Sequence, residues 1–172
     1  IVSEFSFIVD RKEVLDLPPE NFVVEKLKLD VRAEADYRRF EKTFVLQLTE
    51  GKMVAERKVT QLIRLQQFTG GTAVLVDHNN QEVKQVVSST VKVERLKELV
   101  EEIGNEPIVI FYRFNSDLDR IVAGLSTTRK VYQVNGGHDE RSWWEEQPDG
   151  ILLVQMSAGS EAIDLTHSRY AI

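Results

Sequence analysis

The run ILLVQM, Ile151 to Met156, limits what this chain can fold into more than any other stretch. An apolar run without polar alternation suits a strand buried on both faces, as in a parallel sheet covered by helices. A similar run occurs at IVIFY, Ile108 to Tyr112, and KVYQV, Lys130 to Val134, reads as a further strand. Between them lie a helical segment, Ser116 to Leu125, with Leu118, Ile121, Val122 and Leu125 inward, and a shorter helix around Asp139 to Glu146. Strands separated by helices imply βαβ units with right-handed crossovers. The expectation is an α/β fold whose second half is a doubly wound parallel sheet with helices on both faces.

Ligands of open α/β sheets bind outside the carboxyl ends of the strands, where backbone amides and helix amino-termini converge. Ser157, Ala158, Gly159 and Ser160 follow ILLVQM and hold that place. Their small side chains let a phosphate or ribose approach the main chain. Asp164 and Thr166 come one turn later, after a short helix, and offer oxygens to the same ligand. The plainer reading is a strand-to-helix turn with a capping serine. A further apolar segment, Tyr170 to Ile172, reads as a strand just begun.

In the first half, LDLPP (Leu15 to Pro19) reads as a connector, because prolines stop helices. FVVEKLKL, Phe22 to Leu29, carries a strand pattern. Asp30 is placed to cap a helix over Val31 to Leu48, whose Ala33, Tyr37, Phe40, Phe44 and Leu48 share one face. A second helix, Glu56 to Phe68, stops at Gly70 and Gly71 and carries the basic residues Arg57, Lys58 and Arg64. Thr72 to Val76 and Gln81 to Val87 flank DHNN as a hairpin, and Ser88, Ser89 and Thr90 lead into a helix ending at Gly104. Residues 1–88 are thus read as a connector with helices and a hairpin packed on a lobe formed by residues 89–172.

With 172 residues the chain has room for a sizeable core. It has no cysteine and three scattered histidines, which excludes thiolate metal sites and argues against a histidine cluster. A net charge of -6 gives no overall pull toward nucleic acid, so such binding needs a local patch or main-chain amides. No apolar run reaches membrane-spanning length, and the expected location is cytoplasmic or nucleoid-associated, with no membrane partner. A start at Ile1 and an end inside an apolar segment suggest a piece of a longer protein.

Taken in order, these segments resemble the carboxy-terminal RecA-like lobe of Swi/Snf-type DNA translocases, a branch of the superfamily-two helicases. LIRLQQFTGG is similar to the family helix with a small-residue stop, and SSTVKVERLKELVEE to its Ser-then-Lys segment. IVIFYRF, Ile108 to Phe114, resembles motif four, and VNGG, Val134 to Gly137, takes the place of a short Asp-Gly-Ser-Thr-like turn. QMSAGSEAIDLT, Gln155 to Thr166, resembles motif five, with Ser157 where the family usually has Lys, Ser160 and Ala162 for glycines, and Asp164 for Asn. The loss of that Lys weakens the case for direct charge contact with DNA from this loop. DEAD-box relatives also carry Asp at the last position, where it reaches the nucleotide ribose.

The resemblance implies the second motor lobe of an ATP-dependent helicase or translocase, forming one wall of an ATP cleft and half of a track for duplex DNA. Gly159, Ser160, Glu161 and Asp164 would face ATP; Arg113, Asn115, Ser157 and Gly159 would lie along the DNA backbone. Mg²⁺ and the P-loop would belong to an amino-terminal RecA-like lobe, and an arginine motif would follow Ile172. No G-x-x-x-x-G-K-[ST] occurs here, so no catalytic or metal residue is assigned and no cofactor is required by this chain alone. Asp139-Glu140-Arg141-Ser142 reads as a helix start, although it spells an acidic box. Plainer readings stand beside the others: a surface salt bridge for Arg113, a helix or turn cap for Asp164, and packing on the sheet for Trp143 and Trp144, with one ring outward. The rivals in function are a non-catalytic RecA-like interaction domain and a nucleotide-binding domain.

Overall fold

The computed structural model describes residues 21–48, 51–54, 58–76, 81–87, 90–125, 129–158 and 163–172. The LDLPP connector, Ser88 and Ser89, and Gly159, Ser160 and Glu161 lie outside the described residues. The elements are α1 (Val31–Thr43), β1 (Val45–Leu48), β2 (Gly51–Val54), α2 (Lys58–Thr69), β3 (Thr72–Val76), β4 (Glu82–Val86) and α3 (Val91–Ile103) in the first part. They continue as β5 (Ile108–Tyr112), α4 (Asn115–Leu125), β6 (Val131–Asn135), β7 (His138–Asp139), α5 (Arg141–Glu145), β8 (Ile151–Gln155) and β9 (Tyr170–Ala171). The chain is an α/β protein with two sheets: β1-β2-β3-β4, antiparallel throughout, and β7-β6-β8-β5-β9.

In the second sheet β6, β8, β5 and β9 run parallel, with Ile108 opposite Ile151 and Tyr112 opposite Gln155. Ile108, Ile110, Tyr112, Ile151 and Leu153 face α3 and α4, where Leu96, Val100, Ile121 and Leu125 cover them. Val109, Val134, Leu152 and Val154 point the other way and are covered by Trp144 of α5, with Ile163 and Leu165 alongside. Both faces are therefore dry, which is why ILLV reads as an unbroken apolar run. The sheet is mixed rather than purely parallel. Gly136 and Gly137 turn β6 back into β7, so that Asn135 pairs with His138, and the Asn135 side chain accepts the Gly137 N–H at 3.0 Å.

The first sheet has its own core of Ala33, Phe40, Leu65, Phe68, Ala73, Leu75 and Val87. Asp30 caps α1 by accepting the Ala33 N–H at 2.9 Å. The helix expected through Leu48 ends at Thr43: Phe44 turns left-handed (φ 60) while its N–H still bonds the Phe40 carbonyl at 2.9 Å. Val45 to Leu48 then pair with Gly51 to Val54, adding a hairpin that the helical spacing of Phe44 and Leu48 had concealed. No strand forms over Phe22 to Leu29, because no neighbour among the described residues pairs with it; Phe22, Val23 and Val24 are exposed, and Glu25 bonds Arg95 at 2.9 Å. The short helix expected after Ser157 is absent from residues 163–169, where the Asp164 side chain closes a turn instead. Among the described residues, no helix is long and apolar enough to cross a membrane.

Candidate functional site

Strands β5 and β8 are neighbours, yet the chain leaves them on opposite sides of the sheet. β5 continues into α4 on the first face; β8 leads toward Ile163 and Leu165 on the second. Such a divergence opens a crevice at the carboxyl ends of the two strands, the usual ligand position of an open α/β sheet. Arg113, Phe114 and Asn115 form one lip, and Met156, Ser157 and Ala158 the other. The lips are tied by the Met156 N–H on the Tyr112 carbonyl at 2.9 Å and by the Gln155 side-chain amide on Asn115 Oδ1 at 3.2 Å. A tight turn, Ala158 N–H to the Gln155 carbonyl at 2.9 Å, holds Ser157 outward.

Three expected backbone-contact residues, Arg113, Asn115 and Ser157, therefore meet at one crevice, while Gly159 lies outside the described residues. Arg113 is exposed, and among the described residues it forms no salt bridge. Its guanidinium lies 5.4 Å from the centre of the Phe114 ring, a cation–π contact that leaves its N–H groups to an external anion. Beneath the crevice Tyr112 is 3% exposed and its hydroxyl has no hydrogen-bond partner among the described residues. Burial pushes that phenol above its ordinary pKa, against the neighbouring Asn135 amide.

Asp164, the one described member of the expected ATP set, has other neighbours. Its Oδ1 accepts the Thr166 hydroxyl at 2.7 Å and the Thr166 N–H at 3.0 Å, and these bonds hold the exposed carboxyl below its usual range. The turn-cap reading thus describes Oδ1, while Oδ2 has no partner among the described residues. Asp139 pairs with Arg141 at 2.6 Å, and Glu140 accepts the Gln133 N–H at 2.8 Å, so this acidic pair serves the entry to α5. Trp144 is fully buried, with its indole N–H on the Gly150 carbonyl at 3.0 Å, whereas Trp143 is 62% exposed. Arg64 in the first-half basic set is matched by Glu82 at 2.7 Å.

From the crevice a cleft of about 380 Å³ runs toward the first half, a feature the sequence did not reveal. Arg113 and Met156 stand at one end, Asp117 and Arg120 of α4 and Lys92 of α3 along it, and Thr69 of α2 with Gly70 just past its end at the far wall. The Gly70-Gly71 corner is built for close approach. Gly71 has φ +91, and its carbonyl accepts the Arg120 guanidinium and, at 3.0 Å, the Val87 N–H. A side chain on Gly70 would strike Asp117. Lys92 Nζ donates to the Thr69 hydroxyl at 3.3 Å. Asp117 accepts the Phe114 N–H at 3.2 Å through Oδ2, while its buried Oδ1 has no hydrogen-bond partner among the described residues. Burial pushes this carboxyl up; the Phe114 N–H, Lys92 and Arg120 oppose the shift. The signal available in sequence was the helix stop at Gly70-Gly71, but not what it would press against.

No family model matches this chain. Over 122 residues, 70% of its length, it is 25% identical to protein p41 of Acyrthosiphon pisum secondary endosymbiont phage 1. The chain spans 25% of the length of that relative, whose name states no activity.

Proposed function

We propose that this chain is the RecA-like second motor lobe of an ATP-dependent DNA helicase or translocase, contributing part of a track for the phosphate backbone of duplex DNA. The observation that carries the reading is the meeting of Arg113, Asn115 and Ser157 at the crevice between β5 and β8, with the guanidinium of Arg113 free of any salt bridge among the described residues. Phosphate recognition needs a planar cation and nearby amide or hydroxyl dipoles rather than a strongly basic surface. A chain of net charge -6 has to supply them locally.

In this reading ATP, with Mg²⁺ held by a partner lobe, supplies the energy for closure between lobes. Arg113 binds and orients a backbone phosphate. Asn115, fixed by Gln155, keeps the two lips in register. Ser157 presents its hydroxyl from the outward turn. Asp164 keeps Oδ2 for a ribose hydroxyl while Oδ1 closes its own turn. Gly159, Ser160 and Glu161 complete the proposed nucleotide wall. Where motor activity has been lost, the same crevice serves a non-catalytic interaction domain.

The test is DNA-stimulated ATP hydrolysis by the whole protein in which this lobe faces its P-loop partner. Arg113→Ala should reduce the stimulation about ten- to a hundredfold, the loss of one charged hydrogen-bonded contact of roughly 1.5–3 kcal/mol, with circular dichroism unchanged. Hydrolysis that is absent, or indifferent both to DNA and to Arg113, would assign the chain to the interaction-domain reading.

A further inference from the structure

We infer that the cleft between α2 and the second sheet extends the DNA track beyond the crevice, with Lys92 and the Thr69-Gly70 wall forming a further phosphate subsite. The inference rests on the motor-lobe reading and adds a surface on the first half of the chain to it. Its basis is the charge and shape of the cleft. Lys92, Arg113 and Arg120 come from three separate segments to line it, against the single carboxylate of Asp117, which leaves three positive charges less one negative, or +2. That local sign opposes the net charge of -6 carried by the whole chain.

The groups divide their work. Asp117 faces inward: one oxygen holds the Phe114 N–H and the other is buried against Gly70. Arg120 is bonded to the Gly71 carbonyl and contributes its field. Lys92 is exposed, and among the described residues its ammonium bonds only the Thr69 hydroxyl, which leaves two of its three N–H donors for a ligand. Gly70, with no side chain, lets the Asp117 carboxyl sit against the backbone at that wall, so it is Lys92 that meets a phosphate there. The cleft is also large enough for a free nucleotide, so the experiment separates the two sources of phosphate.

Binding of a fluorescent DNA duplex to the whole protein would be followed by anisotropy for wild type, Arg113→Ala, Lys92→Gln and Lys97→Gln. Lys97 is on the same helix but lines a different hollow beside Gly124, so its variant controls for loss of charge alone. Lys92→Gln should bind more weakly, and the affinity it loses between about 50 and about 200 mM salt should be about 3.5-fold smaller than for wild type, one phosphate contact's share. Lys97→Gln should behave as wild type. If Lys92→Gln matches Lys97→Gln while Arg113→Ala still weakens binding, the track ends at the crevice and this inference fails alone. If neither Arg113 nor Lys92 matters, the motor-lobe reading falls with it. Displacement of the duplex by ADP from wild type, but not from Lys92→Gln, would give the cleft to a free nucleotide and overturn the inference.

Discussion

Asp117 touches both halves of the molecule through one carboxyl group. One oxygen secures the turn into α4 through Phe114; the other is buried against Gly70 without a hydrogen bond among the described residues. Because burial raises its pKa, the folded chain keeps the proton to a higher pH than the unfolded chain does. Stability from this group is therefore present at low pH and lost as pH rises through the folded pKa. Asp117→Asn keeps an acceptor for Phe114 and removes the titration. Thermal melts of the two proteins should show the variant gaining on wild type as pH is raised from the ordinary carboxylate range toward neutrality. A difference that stays flat, or shifts in favour of wild type, would mean that Lys92 and Arg120 outweigh burial.

Among elements, the join between α1 and α2 depends on one buried amide. Gln61 is 3% exposed, and its side-chain nitrogen donates to two carbonyls in the last turn of α1, that of Phe40 at 2.9 Å, which also accepts the Phe44 N–H, and that of Glu41 at 2.7 Å. Gln61→Leu preserves bulk but leaves both carbonyls without that donor, and should cost about 1–3 kcal/mol, read as a lower urea midpoint with an unchanged slope. This join also marks where sequence reading weakens. The second half was legible because a strand buried on both faces leaves an unbroken apolar run and its crossover helices keep a 3.6-residue period. In the first half Phe44 and Leu48 continue the period of α1, although the chain leaves the helix at Phe44. A single left-handed residue is enough to turn the expected helix end into a hairpin, and hydrophobic spacing does not record it. Phe22 to Leu29 is the converse: a strand pattern needs a neighbouring strand, which is a property of the tertiary fold.

Across the whole molecule, the two ends of the second sheet have separate tasks. At the amino ends of the strands Arg129 donates to the carbonyls of Asp149 at 2.6 Å, Gly104 at 2.7 Å and Glu106, joining the entries to β5, β6 and β8. At the carboxyl ends lie Arg113, Asn115 and Ser157. Arg129→Met should lower stability by about 1.5–3 kcal/mol, as charged hydrogen bonds do when removed, while leaving DNA affinity at wild-type level; Arg113→Ala should do the reverse. Denaturation and anisotropy on the same pair of variants would expose any mixing of these roles. The crevice was legible because its residues follow directly on strands, whereas the cleft was hidden because its walls, Thr69, Lys92 and Asp117, meet only after the chain has folded. The two adjacent tryptophans carry a consequence of another kind. Trp143 is 62% exposed, while Trp144 is sealed on the sheet with its ring edge-on to His167 at 4.8 Å. Excited together, one indole emits from water and the other from an apolar interior, so the protein's own luminescence contains a quenchable component and a shielded one, and the shielded component reports on the closing of the sheet's second face without any label.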